Sequence, residues 1–574
     1  MSTGRQRNSG AGWRSLFVLG CFVVAGAVLE GRILYLQLVD QEFLEAQGDD
    51  RQIRTVEIAA HRGPITDRYG EPLAVSTPVD SVYANPKELK VALDRLPELA
   101  AVLGIDAEQL ARRITSNLER EFVYLKRHLP PHAAAQVLAL GLPGIGTLRE
   151  YRRYYPAGEV TGHVLGFTDV DDRGQEGLEL AYDYWLAGEN GRKRVRQDRL
   201  GRIVEDIELV SAARPGRELR TSLDLRLQYL AYRELKAAVS ETGAKSGSVV
   251  VLDVRTGEVL AMVNQPSYNP NDRSQYQPAN YRNRAVTDIF EPGSSFKPLV
   301  IAAALESGRF TPDSIIDTSP GSLRVSARLV VTESEHANYG PIDLATLLAK
   351  SSNVGAAQVA LALEPAMLWE VLTRLGIGRL TGSGFPGESA GVLNEPQHWR
   401  AVGQATLSYG YGLSATALQL ARAYAAIGAH GVLRPVTFLP VTEPPAGEQA
   451  ISQKTADALL DMLETVVTEG TGQRAQVRNY RIAGKTGTAR KAGAGGYSND
   501  RHRALFAGLA PAGNPRLAVV VVLEEPQGGR YYGGEVAAPV FSRVVAGALR
   551  ILAVPPDAID RSPETVMALA GLEP

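Results

Sequence analysis

A chain of 574 residues at 61.7 kDa exceeds what one hydrophobic core usually supports, so two or more domains with short appendages are expected. Hydrophobic residues at 44% and charged residues at 22% argue against both wholesale disorder and a polytopic membrane protein. With 61 basic against 63 acidic residues there is no basic excess for phosphate contacts, which argues against nucleic acid as a partner. The lone Cys21 allows no intramolecular disulfide, and the eight histidines show no ligand spacing such as H-E-x-x-H. No metal and no cofactor is expected. Only eleven of the basic residues are lysines, so lysine-based proton transfer has few candidates, and arginine cannot replace it because it stays protonated.

In chain order, the first predicted element is a membrane anchor. Ser15 to Leu29 carries no charge, and the apolar pattern resumes after Arg32, so a helix from Trp13 to about Val39 is long enough to span a bilayer. Ala25-Gly26-Ala27 also resembles a signal cleavage site, but the resumed apolar run favours a retained anchor. Arg5, Arg7 and Arg14 precede the segment, and Asp40, Glu42, Glu45, Asp49 and Asp50 follow it, which predicts a cytoplasmic N-terminus with the bulk of the chain outside the cytoplasm. The expected division is a cytoplasmic tail at 1–14, the anchor at 15–39, an N-terminal domain at 40–225, a larger domain at 226–555 and a tail at 556–574.

The 40–225 region shows short strand-like and helical pieces and no catalytic cluster, and is read as a scaffold for partner contact. Near 225 the pattern changes. Leu225 to Val239 reads as an amphipathic helix, and Ser248–Val254 with Glu258–Val263 read as a hairpin around Arg255-Thr256-Gly257. Helical patterns dominate from about 295 to 430 and from 454 to 468. Strand-like runs return at Arg481–Ala483, Ala504–Gly508 and Leu517–Leu523, and a helix from Ala538 to Leu552 closes the domain. Strands at both ends with helices between predict one sheet built from distant segments, an α+β domain.

Three short motifs carry the candidate chemistry. Ser294 and Lys297 stand three apart at the expected start of a helix, where hydroxyl and amine share a face and a desolvated lysine can take the serine proton. Ser351 and Asn353 sit in a tight connection between two helical patterns, where a hydroxyl can relay protons and an amide can bind a substrate amide. Lys485, Thr486, Gly487 and Thr488 lie in a strand-like stretch, offering a cation, hydroxyls and close backbone approach. Singly, each has a plain alternative: a solvated helix start, a capping turn, an ordinary strand. Gly387-Glu388-Ser389-Ala390-Gly391 matches G-x-S-x-G, but without a strand before it and a helix after it this segment reads as a turn.

Together, in this order, S-x-x-K, S-x-N and K-T-G form the signature of penicillin-binding proteins and class A β-lactamases. The chain resembles the penicillin-recognising acyl-serine transferases, and among them the class B penicillin-binding proteins, over nearly its whole length, beginning with the anchor and Arg62-Gly63-Pro64-Ile65-Thr66-Asp67-Arg68. The resemblance implies a single transmembrane helix in the cytoplasmic (inner) membrane and an elongated N-terminal pedestal. It also implies a periplasmic transpeptidase domain, an antiparallel sheet covered by helices with an all-helical subdomain. It implies that Ser294 attacks the penultimate D-Ala of a pentapeptide stem with Lys297 as base, that Ser351 carries protons to the leaving amine, and that Asn353 holds the stem amide. Lys485, Thr486 and Thr488 then bind the terminal carboxylate, and the N–H groups of Ser294 and Thr488 form the oxyanion hole. β-Lactams are expected to acylate Ser294.

Gly410–Thr416 and Tyr531–Phe541, with Tyr532 among the expected substrate-binding residues, are similar to the division-specific subgroup. That similarity implies a polytopic glycosyltransferase of the shape, elongation, division and sporulation family and septal ring proteins as partners; the elongation-specific subgroup is the alternative. A β-lactamase is disfavoured by Ser352 in place of the aspartate of S-D-N and by the anchor and long N-terminal region. A sensor or scaffold that acylates without turnover uses the same residues and remains the non-enzymatic alternative.

Overall fold

The computed structural model describes residues 10–39, 53–197, 203–272, 274, 277–493 and 496–558. Helix α1 (Gly10–Leu38) includes Trp13–Leu38, which among the described residues is the one helix long and apolar enough to cross a membrane. The charges expected to orient it at 5, 7 and 40–50 lie outside the described residues, as does the chain beyond 558.

Contacts gather the rest into two compact units, and the division does not follow a single boundary at 225. One unit takes residues up to 61, 78–151 and 189–214; the other takes 62–77, 152–188 and 215 onward. The 40–225 segment contributes to both units. Its pieces at 62–77 and 152–188 supply Ile65, Leu73, Tyr155, Val164, Leu178 and Leu186 to the main core of the larger unit. An apolar side chain joins whichever core buries it, and a linear pattern does not reveal which.

The first unit contains a three-stranded antiparallel sheet of Ile53–Ile58, Gly191–Gln197 and Ile203–Ser211, with the middle segment central. Its apolar core is separate, built from Leu96, Leu99 and Leu103 of one helix, Leu110 and Ile114 of the next, and Val82 and Leu125 of two strands.

In the larger unit, Asp224 caps α2 (Leu225–Thr242) by accepting from Arg226 N at 3.0 Å, and Gly243, at φ +62°, ends it. Strands β1 (Ser246–Asp253) and β2 (Val259–Gln265) follow as a hairpin. The helical region contains α3 (Lys297–Glu306), α4 (Leu344–Lys350), α5 (Asn353–Leu361), α6 (Ala417–Gly428) and α7 (Gln453–Thr468). The chain then returns through β3 (Ala483–Gly493), β4 (Gly496–Ala510), β5 (Leu517–Glu524) and α8 (Ala538–Ile551).

All pairings in this sheet are antiparallel, in the order β2-β1-β5-β4-β3, so the strand carrying K-T-G is an edge. Side chains alternate between two cores. Val249, Val251, Val519 and Val521 face one cluster with α2 and α8, while Val250, Leu252, Val520 and Val522 face the other with α3, α6 and α7. Burial on both faces explains the unbroken apolar runs of β1 and β5, each such side chain contributing about 1.5–3 kcal/mol.

Two boundaries differ from expectation. Strand β3 begins at Ala483 because Arg481 is occupied elsewhere, its N–H donating to Asp557 at 2.8 Å and its Nε to Glu464 at 2.8 Å. The same Asp557 accepts from Gly513 N at 2.9 Å, so the expected C-terminal tail starts with residues tied to the domain.

Candidate active site

Ser294 sits half-buried on a 3₁₀ turn (Gly293–Phe296) that runs directly into α3, rather than within the α-helix itself. Two close approaches hold this turn. Gly410 packs so tightly on it that a Cβ there would lie 2.2 Å from Gly293 O. A Cβ on Gly487 would meet Pro292 O at 2.9 Å and Ser295 Cβ at 3.2 Å, so the glycine of K-T-G lets the edge strand lie against the serine turn. Inside the turn, Ser295 Oγ donates to Pro292 O at 2.7 Å and Tyr424 OH donates to Ser295 O at 2.8 Å.

Lys297 is fully buried. Its Nζ donates to Ser351 O at 2.5 Å and to Asn353 Oδ1 at 2.8 Å and lies 3.2 Å from Ser351 Oγ. Both oxygens of the shorter bonds can only accept, so a neutral amine satisfies them with its two N–H bonds and keeps its lone pair for a hydroxyl. Burial, then the charge of Lys485, push Lys297 well below the ordinary lysine range, while Glu333 opposes them.

Ser351 caps the C-terminus of α4 in the left-handed region, at φ +59° and ψ 42°, a conformation costing a side-chain-bearing residue about 1–2 kcal/mol. Ser352 is the N-cap of α5, accepting from Gly355 N at 2.9 Å. The helix-turn-helix junction thus presents Ser351 Oγ and the Asn353 amide toward Lys297. Asn353 Nδ2 donates to Thr332 O at 3.2 Å, which engages one of its two N–H bonds.

Lys485 is also fully buried, and burial brings it down to about 7. Its Nζ lies 3.3 Å from both Thr486 O and Thr486 Oγ1. Thr471 Oγ1 lies 2.8 Å from Thr486 Oγ1, and Thr488 Oγ1 accepts from Gly533 N at 3.0 Å. Ser294, Ser351, Asn353, Thr486, Thr488 and Tyr532 all line one open cleft of about 1330 Å³. Lys297 and Lys485 stand behind that wall, and Gly487 lies on the strand between Thr486 and Thr488. Tyr532 is an exposed lip, its ring 4.7 Å from that of Tyr531. By contrast, Gly387–Gly391 is an irregular loop in which Glu388 accepts from Ser383 Oγ at 2.7 Å.

Sequence reasoning missed Glu333, almost wholly buried in the cleft wall and bonded to the S-x-N turn, and Thr471, also in that wall. Glu333 belongs to no motif and lies twenty residues before Asn353, so no local spacing signals it.

An antiparallel sheet covered by helices, with a serine–lysine turn docked on its edge strand, defines a penicillin-recognising acyl-serine domain. Residues 247–546 match the Penicillin binding protein transpeptidase domain, and 57–221 match the Penicillin-binding Protein dimerisation domain. The chain belongs to the class B penicillin-binding proteins. It is similar to peptidoglycan D,D-transpeptidase FtsI of Escherichia coli (strain K12), 44% identical over 553 residues that cover 95% of this chain and 93% of the relative. It is 41% identical to the probable peptidoglycan D,D-transpeptidase PbpC of Pseudomonas aeruginosa, over 96% of this chain and 97% of that one. Among solved structures, penicillin binding protein 3 of Mycobacterium tuberculosis, complexed with ampicillin, matches with a TM-score of 0.68 at 28% identity, over 88% of this chain and 99% of that one.

Proposed function

We propose that this protein is a peptidoglycan D,D-transpeptidase of septal wall synthesis, anchored by α1, in which Ser294 carries the acyl group. The observation that carries the reading is the buried, charge-depleted Lys297 held between Ser351 and Asn353 at the foot of the Ser294 turn.

In the first half-reaction Ser294 Oγ bonds to the carbonyl carbon of the penultimate D-Ala and its proton passes to Lys297. Negative charge gathers on the carbonyl oxygen, which the N–H groups of Ser294 and Thr488 receive. The C–N bond to the terminal D-Ala then breaks, and the proton travels from Lys297 through Ser351 to the leaving amine. In the second half an amine from a neighbouring stem attacks the ester, gives up its proton along the same route, and Ser294 regains its hydroxyl proton. Lys485, Thr486 and Thr488 hold the terminal carboxylate, Gly487 lets the stem backbone lie along the edge strand, the free Asn353 N–H binds a stem amide, and Tyr532 borders the stem. A β-lactam offers the same carboxylate and carbonyl but keeps its amine tethered, so its acyl-enzyme persists.

The N-terminus lies in the cytoplasm and the catalytic domain in the periplasm. The partners are a polytopic glycosyltransferase of the shape, elongation, division and sporulation family and septal ring proteins. Mass spectrometry of the penicillin-treated protein tests the site: one adduct on the peptide containing Ser294 is expected, and an adduct elsewhere overturns the assignment.

The two lysines also fix a pH profile. Lys297 must be neutral to accept a proton, and Lys485 must be charged to hold a carboxylate. The second-order acylation rate constant, which reports the free enzyme, is therefore expected to rise as Lys297 loses its proton and fall as Lys485 loses its own near pH 7. The limbs belong to the interacting pair rather than to either lysine alone. Acylation still climbing at pH 9 would show that Lys485 stays charged and that its burial does not govern the site.

A further inference from the structure

Bonded to the S-x-N turn is a carboxylate that the mechanism above does not use. Glu333 is 3% exposed. It follows the short strand Val330–Thr332, whose Val331 pairs with Leu323 and packs with Val354 and Ala357 of α5, and its own N–H donates to Gly321 O at 3.1 Å. The backbone is thereby fixed with the side chain turned inward. One carboxylate oxygen accepts a short hydrogen bond from Ser352 Oγ, and the other accepts from Asn353 N at 2.7 Å.

These contacts join Glu333 and Lys297 through one turn. The lysine holds it through Ser351 O and Asn353 Oδ1, and the carboxylate holds it through Ser352 Oγ and the Asn353 backbone N–H. Ser351, in its left-handed conformation, belongs to the same turn. The charged groups that face Lys297 are Lys485 and Glu333, and Tyr339 also faces the carboxylate. Burial and Lys485 both strip the proton from Lys297, and carried far enough they would leave an amine too weakly basic to take one from a serine. An anion bonded to the turn restores basicity.

We propose that Glu333 is a positioning residue for acylation, clamping the Ser351–Asn353 turn against Lys297 and setting the basicity of that amine. The inference rests on the reading of Ser294 and Lys297 as nucleophile and base. Glu333 lines the cleft wall, but both its carboxylate oxygens are engaged by the turn, and the role assigned to it is positioning rather than substrate contact.

The test is the acylation rate constant of the full chain in detergent with a fluorescent penicillin, followed from pH 5 to 9. Glu333→Gln keeps the shape and removes the charge. Its rising limb is expected about one pH unit lower, because losing an anion lowers the pKa of a nearby ammonium group. Its plateau falls about tenfold, since the Ser352 hydroxyl loses a charged acceptor. Glu333→Asp restores the limb to its wild-type position while the plateau stays depressed, because the charge is kept and the reach is shortened. A lower plateau with an unmoved limb in Glu333→Gln makes the residue merely structural and overturns the proposal, as does no change in either.

Ser352→Ala removes one clamp bond together with the α5 cap bond from Gly355 N and keeps the anion, and it reports even where a Glu333 variant does not fold. A plateau several-fold lower with the limb in place is expected, and an unchanged plateau overturns the clamp. Labelling that persists in Ser294→Ala would refute the underlying site assignment instead, so the two failures are distinct.

Discussion

Replacing Lys297 by methionine is expected to slow acylation by penicillin about 10²–10⁴-fold, the usual contribution of a positioned general base. The variant should melt no lower than the wild type. Burying this amine costs desolvation energy, and its N–H bonds to Ser351 O and Asn353 Oδ1 recover only part of it. Methionine fills a similar volume and its flexible thioether adapts to the space, at the loss of those two bonds. A catalytic collapse without a stability collapse is the signature of a group kept for chemistry. Lys297→Arg should not rescue, because a guanidinium does not release its proton and its planar fork does not fit a site built for a point amine. Rate constants from single-turnover labelling, set beside thermal melts, decide the matter. A Lys297→Met protein that acylates within tenfold of the wild type would remove Lys297 from the base role and leave Ser351 as the nearest alternative.

The parts of this site that can be read from sequence are those whose geometry is local. S-x-x-K is legible because turn and helix fix the spacing of Ser294 and Lys297 within one segment, and K-T-G because a strand fixes Lys485 and Thr486 likewise. The sheet is legible in outline: the apolar runs of β1 and β5 announce burial. Yet the assignment of Val249 and Val250 to opposite cores follows only once the neighbouring layers exist.

What stays hidden is set by contacts between distant segments. Glu333 reaches the S-x-N turn from a strand–turn segment with no motif of its own, and Gly410 is demanded by the backbone of Gly293, more than a hundred residues earlier. The role of Arg62 is hidden in the same way. Its motif marks a resemblance, while its partners arrive from the 152–188 segment.

Those partners support the second large effect, a loss of about 3–5 kcal/mol of stability on replacing Glu179 by alanine. Glu179 is fully buried between two buried arginines. Its Oε2 accepts from Arg62 Nε at 2.8 Å and its Oε1 from Arg153 Nε at 2.6 Å. Arg62 further donates to Asp183 Oδ1 at 2.7 Å and to Glu179 O at 3.0 Å, and Arg153 donates to Gly63 O at 2.8 Å and lies 3.2 Å from Ser76 Oγ. The arrangement ties 62–77 and 152–188 together inside the larger unit. Removing the carboxylate leaves two buried guanidiniums that lose their shared bonded partner, with Asp183 still paired to Arg62 and Asp172 the remaining acidic group near both.

Truncating one member should therefore cost far more than replacing the group. The triple variant Arg62→Met, Arg153→Met, Glu179→Leu is expected to recover most of the stability that Glu179→Ala loses, because no guanidinium is left buried without Glu179, and Asp172, which burial already raises to about 6, can be neutralised by a proton. None of these residues lines the cleft, so the fraction of Glu179→Ala that folds should acylate with penicillin at the wild-type rate. Chemical unfolding of the three proteins measures the difference. A cost below about 1 kcal/mol for Glu179→Ala, the range of a surface pair, would mean that water reaches the arginines and that burial does not set the strength of the cluster.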